Sequence, residues 1–174
     1  SLGLIPQIDL PKDAEIIDVG GGASTFADDL LYRGFRNITV LDISHEALKV
    51  SKERLGDKAK SIHWLEVDVT IAQLEPDFYD LWHDRAAFHF LTKQDDRLKY
   101  VNTLRNSLKP GGHVLMAVFG PQGPLKCSGL EIVRYSAESL QKELGRSFRL
   151  EQHFTEIHRT PFDIRVTAES IMVL

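Results

Sequence analysis

One cysteine, Cys127, stands in the whole chain. An internal disulfide is therefore impossible, and so is a zinc cluster built from several cysteines; a reducing cytoplasm is the expected setting. An excess of positive charge is also absent, since 21 Lys and Arg against 25 Asp and Glu leave a formal net charge of −4. That balance removes the electrostatic footprint of a general nucleic-acid binder and offers no basic tract to an anionic membrane. No apolar run approaches the length of a membrane span, and the first residues have neither the basic start nor the apolar centre of a signal peptide. A small molecule or a protein is left as the expected partner.

What the chain does have is enough apolar material, 43% of 174 residues, for one packed domain, and too little length for two. Residues 1–174 are accordingly read as a single unit. Short β-branched runs alternate with amphipathic stretches, the pattern of βαβ units on a mostly parallel sheet. Strands are expected at 14–20, 37–44, 62–69, 78–84, 113–119 and 148–158, and helices at 24–33, 45–55, 92–108 and 136–145. In the third helix, Leu98, Val101, Leu104 and Leu108 recur at helical spacing and predict the buried face. The following KPGG at 109–112 predicts a stop and a turn. Ser136, with Ser139 three residues on, reads as an N-cap. The final segment, 163–174, is a candidate last strand whose alternation Ala168, Glu169 and Ser170 interrupt.

The first strand runs into three glycines in "IIDVGGGAS" (16–24). Gly20, Gly21 and Gly22 leave a ligand free to approach the backbone, and the helix that follows offers free N–H groups. No Lys follows the glycines, so a P-loop is excluded. Thr25 stands where a dinucleotide fingerprint needs a small third residue, which makes that match poor. The remaining pattern is acid-x-Gly-x-Gly-x-Gly, with Asp18 as the acid and Ser24 at the last glycine. A carboxylate at the mouth of such a loop repels a pyrophosphate and attracts an ammonium or sulfonium, so Asp18 points to a cationic nucleoside; a helix-dipole partner is its alternative reading. Asp42, about twenty residues on, closes the second strand where an acid binds ribose hydroxyls. Asp68 closes the third and Asp84 the fourth.

These residues together resemble the class I S-adenosylmethionine-dependent methyltransferase family, of the type 11/12-like kind, over about residues 14–119. The resemblance implies a Rossmann-like, doubly wound α/β fold with a seven-stranded sheet, mostly parallel, in the order 3-2-1-4-5-7-6 with the last strand antiparallel. It implies S-adenosyl-L-methionine as cofactor and S-adenosyl-L-homocysteine as product, with no metal. Asp18 and the Gly20, Gly21 and Gly22 backbone would hold the methionine end, Asp42 the ribose, and Ile43 one face of the adenine. Asp68 and Val69 would contact the adenine nitrogens, while Asp84, Arg85 and Ala86 would line the methyl donor. Ser24 in place of the third glycine is similar to loops of protein-lysine methyltransferases, or else caps the helix. The aromatic lid segment usual in the family is expected to be short or missing, because about fifteen residues precede the first strand.

Methyl transfer from a sulfonium asks the protein mainly to position the acceptor and exclude water, with a base needed only if the nucleophile arrives protonated. His89 is the first candidate base, His83 the second and Asp84 the third; His158 is a candidate for the acceptor pocket. "HDRA" stands where amino-directed nucleic-acid enzymes carry their Pro-Pro-aromatic signature, and Cys127 lacks the Pro-Cys setting of RNA cytosine enzymes. A protein lysine or a small metabolite remains as the acceptor. Two other classes stay open: a protein that binds the cofactor without transfer, and a nicotinamide-dependent oxidoreductase.

Overall fold

The computed structural model describes residues 5–85, 87–159 and 164–173. Seven strands form one sheet: β1 (Glu15–Val19), β2 (Asn37–Asp42), β3 (Ile62–Glu66), β4 (Tyr79–Arg85), β5 (Leu108–Phe119), β6 (Arg149–Arg159) and β7 (Ile164–Val173). Their order is β3-β2-β1-β4-β5-β7-β6. The first five are parallel and β7 runs antiparallel to both neighbours. This is the order the resemblance implies. The candidate last strand forms over Ile164–Val173, paired with β5 without a break from Phe119↔Thr167 to His113↔Val173.

Successive strand residues face opposite sides of a sheet, and here both sides are covered. Ile16, Ile38, Val40, Leu81 and Leu115 pack with Phe26 and Leu30 of α1 (Phe26–Tyr32) and Leu48 of α2 (His45–Leu55). On the other face, Ile17, Leu41, Trp82, Val114 and Met116 pack with Tyr100, Val101 and Leu104 of α3 (Gln94–Ser107) and with Leu140 and Leu144 of α4 (Ala137–Leu144). The short apolar runs of β1, β2, β4 and β5 read as buried strands because neither side of them meets water along most of their length. Local signals set the helix ends: Ser44 caps α2 by accepting from Ala47 N–H at 3.2 Å, and Ser136 with Ser139 forms a reciprocal capping box on α4.

Two expectations need correction. Leu98 is half exposed, and the face of α3 that packs on the sheet centres on Tyr100, Val101 and Leu104. Apolar spacing misses this because a tyrosine can be buried whole when its hydroxyl finds partners. Nor is KPGG a turn between α3 and a strand that starts at 113. Strand β5 already begins at Leu108, paired with Tyr79, and the next register is Leu81↔His113. Residues 109–112 thus oppose the single residue Asp80, so the stretch bulges out of a ladder that continues beyond it. Gly111, at φ +79°, takes the left-handed conformation this requires.

Candidate functional site

Among the described residues, the predicted cofactor residues Asp18, Gly20, Gly21, Gly22, Asp42, Ile43, Asp68, Val69, Asp84 and Arg85 lie at or just beyond the carboxyl ends of β1, β2, β3 and β4, at one end of the sheet. The glycine loop leaves β1 with Gly20 N–H donating to Leu41 C=O at 2.8 Å. Gly20 has φ +69°, and a Cβ there would lie 2.8 Å from the Cβ of Ala87 in the segment after β4. A Cβ on Gly21 would fall 2.5 Å from Asp18 Oδ2 and 2.9 Å from Val40; one on Gly22 would fall 2.6 Å from Asp42 Oδ2 and 2.9 Å from Ala47. None of the three positions has room for a side chain. Ser24 donates its N–H to Gly21 C=O at 2.7 Å, and its Oγ accepts from Phe26 N–H at 3.1 Å, so it serves the start of α1.

The outer side of this loop is held by two residues that the sequence reading missed. Ser51 of α2 donates its hydroxyl to Gly22 C=O. One turn later, Arg54 donates to Ala23 C=O at 3.2 Å and Ser24 C=O at 2.6 Å, and grips Asp28 with two bonds of 3.0 and 2.8 Å. The planar guanidinium suits such forked contacts. Their spacing of three residues on α2 was visible, but nothing in it points to a loop about thirty residues earlier.

The acids differ in how they are engaged. Asp18 lies opposite His83 in the β1–β4 register, and the two side chains meet at 2.6 Å, Oδ1 to Nδ1, both fully buried. The His83 ring stacks on Phe26 at 3.7 Å, while Asp18 Oδ2 and His83 Nε2 have no hydrogen-bond partner. Asp42 Oδ1 accepts from Ser44 N–H at 2.8 Å, which fixes the carboxylate against Gly22. Asp68 stands two residues past the end of β3, its Oδ1 accepting from the N–H and hydroxyl of Thr70, each at 2.8 Å. Ile43 beside Asp42 is 70% exposed, whereas Val69 is buried.

Asp84 is wholly buried. It accepts from Ala87 N–H at 2.8 Å, Phe88 N–H at 3.0 Å and the Tyr100 hydroxyl, which in turn accepts from Trp82 Nε1 at 2.9 Å. Burial raises its pKa to about 6 against the pull of those donors. Both oxygens are occupied, so the carboxylate braces the turn that carries Ala87 against Gly20. Arg85 is exposed, and Ala86 lies outside the described residues. His89 follows on a single 3-10 turn (Phe88–Phe90). It is buried between Phe90 and Phe119, both ring nitrogens lack partners, and burial lowers its pKa to about 4. The side chain of His158 lies outside the described residues. Among the described residues no group of three or more His, Cys, Asp or Glu could hold a metal, and no helix is long and apolar enough to cross a membrane.

A family model described as "Methyltransferase domain" matches residues 17–116. Malonyl-[acyl-carrier protein] O-methyltransferase 1 of Ilyobacter polytropus is 30% identical over 93% of this chain and 58% of its own length. EEF1A lysine methyltransferase 2 of Homo sapiens is 28% identical over 62% of this chain and 48% of its own. The chain thus spans about half the length of these curated relatives. Among solved structures, a SAM-dependent methyltransferase of Methanosarcina mazei superposes with a TM-score of 0.79 at 15% identity, over 97% of this chain and 96% of that one. At that identity the likeness is one of fold.

Proposed function

The chain belongs to the class I S-adenosylmethionine-dependent methyltransferase family, and from that premise we propose that it transfers a methyl group from S-adenosylmethionine to a protein lysine or a small metabolite. The observation that carries this reading is the pairing of bare glycines with carboxylates: Asp18 Oδ2 lies directly beneath Gly21, and Asp42 Oδ2 directly beneath Gly22. Such a cradle suits a ligand with an ammonium at one end and a ribose diol at the other, and it repels a pyrophosphate. The unpartnered Asp18 Oδ2 is a buried acceptor waiting for a donor, which an ammonium supplies.

Asp42 is assigned to the ribose, the exposed Ile43 to one adenine face, and Asp68 with Val69 to the adenine edge; the exposed Arg85 is assigned to the donor's side, which the buried Asp84 shapes from behind by bracing the turn after β4. When bound, the cofactor supplies a methyl already activated on a sulfonium and leaves as S-adenosylhomocysteine. The chain's own task is to place the acceptor in line and keep water out. Of the three candidate bases, Asp84 is spent on the turn and His83 on Asp18, which leaves His89. It is assigned the proton of an N–H or O–H acceptor as the new bond forms, in the role of a weak base, since burial holds its pKa at about 4. The relatives' names include both a lysine and an O-methyl acceptor, so two acceptor classes are carried forward. The lone cysteine suits a cytoplasmic setting.

The test is thermal stabilisation by S-adenosylhomocysteine and by NAD, followed by incubation with methyl-labelled cofactor and a cell extract. Stabilisation by the former and label in a protein or small-molecule fraction are expected. Stabilisation by NAD alone overturns the reading, and cofactor binding without labelled product makes the protein a binder only.

A further inference from the structure

We propose that His83 is a positioning residue for the amino-acid end of the cofactor, acting through Asp18 and never touching the ligand itself. The inference rests on the cofactor reading above and adds to it a residue from a different strand. Register is the starting point: Asp18 of β1 and His83 of β4 are paired positions on adjacent parallel strands, so both side chains emerge on the same face of the sheet. That face is roofed by α1, whose first residue, Phe26, lies flat on the imidazole at an interplanar angle of 16°. The ring cannot swing away.

An ionised carboxylate only accepts, so the 2.6 Å contact assigns the proton to Nδ1 of His83. This bond occupies Oδ1 and fixes the plane of the carboxylate, which leaves Oδ2 aimed at the underside of Gly21. Oδ2 is buried and unpartnered, a costly state unless a donor completes it. Without the imidazole the carboxylate would be free to turn about its last torsion, a broad and soft one, and the acceptor beneath the loop would lose its aim. Asp18 thus holds the charge, and His83 determines where that charge points.

Two ligands separate positioning from general support of the loop. S-adenosylhomocysteine carries the amino-acid end, whereas 5′-methylthioadenosine shares its adenine, ribose and sulfur but lacks that end. Their affinities are measured by calorimetry on the wild-type chain and on His83→Asn, His83→Gln and His83→Phe, with circular dichroism to confirm folding. The Asn amide can present an N–H close to where Nδ1 stands, and Gln presents its own one bond farther out. His83→Asn is expected to keep S-adenosylhomocysteine within about threefold of wild type, while His83→Gln and His83→Phe weaken it about tenfold or more, the scale of one charge-assisted hydrogen bond. Methylthioadenosine should change less than about twofold throughout. Equal losses for both ligands, or no loss in the Gln variant, overturn the positioning role. Should His83→Phe fail to fold, the comparison of the two amides still decides. A wild-type chain that binds neither ligand overturns the cofactor reading itself, and this inference falls with it.

Discussion

Replacing Tyr100 with Phe removes one oxygen from the buried chain Trp82–Tyr100–Asp84. Its hydroxyl donates to Asp84 Oδ2 and accepts from Trp82 Nε1 at 2.9 Å, and all three side chains are wholly buried. Loss of a hydrogen bond to a charged group costs about 1.5–3 kcal/mol, and a buried N–H left without an acceptor about 1–3 kcal/mol. Together they predict a destabilisation of about 3–5 kcal/mol, or roughly 6–20 °C in Tm for a chain of this size. The penalty should also depend on pH. Burial holds the folded-state pKa of Asp84 above its ordinary 3.8, at about 6. Its contribution to stability is therefore fully present below about pH 3.8 and is lost as pH rises through about 6, a swing of about 3 kcal/mol. The Tyr100 hydroxyl moderates that loss by pulling the pKa down. Tyr100→Phe should thus cost more at about pH 8, where Asp84 is ionised, than at about pH 5, by about 1–2 kcal/mol. Urea unfolding followed by far-UV circular dichroism at the two pH values measures both quantities. A penalty below about 1 kcal/mol, or one equal at both pH values, would refute the reasoning.

Asp42→Ala should weaken S-adenosylhomocysteine binding about tenfold or more while lowering Tm by only a few degrees, since one exposed Asx contact is lost; unchanged affinity in calorimetry would mean the ribose assignment is wrong. Gly21→Ala places a methyl 2.5 Å from Asp18 Oδ2, so cofactor binding should be abolished or the chain destabilised by about 1–3 kcal/mol, read by calorimetry and thermal melts. Arg54→Met keeps the aliphatic stem but frees two loop carbonyls; a Tm decrease of about 2–6 °C with weaker cofactor binding is expected, and wild-type behaviour in both assays would show the clamp to be idle. His89 has a folded pKa lowered to about 4, so the stability it confers is present above its ordinary 6.5 and lost as pH falls toward 4, opposite in sign to Asp84 over the same interval. His89→Phe removes that opposition, so as pH falls from about 7 to about 5 the variant should gain stability relative to wild type, read by urea unfolding at the two pH values; no relative gain would refute the assignment.

The parts of the fold legible from sequence were those whose cause is local. Strands β1, β2, β4 and β5 read as apolar runs because helices cover both of their faces, and Ser136 read as a cap because its partner, Ser139, is one turn away. Leu98 misled because apolar spacing cannot tell that Tyr100 hides its hydroxyl on an aspartate sixteen residues back. The acids at the strand ends were legible as a set, since each closes a run with the same outline. Their differences were not. Whether an aspartate is fixed by a backbone N–H two residues on like Asp42, paired across strands like Asp18 or committed to a turn like Asp84, depends on strand register and on helices packed from elsewhere. Ser51 and Arg54 lie beyond any local pattern for the same reason.

The four-against-one bulge at Lys109–Gly112 bears on how this architecture tolerates change. It lies where α3 hands over to β5, next to Asp80 near the start of β4, and so at the opposite end of that strand from Asp84 and the glycine loop. A ladder with slack at that end can absorb a residue gained or lost at the end of α3 while the pairs from Leu81↔His113 to Arg85↔Ala117 keep their register. The bulge acts as an expansion joint: length variation enters the chain there, and the edge that carries the site does not feel it.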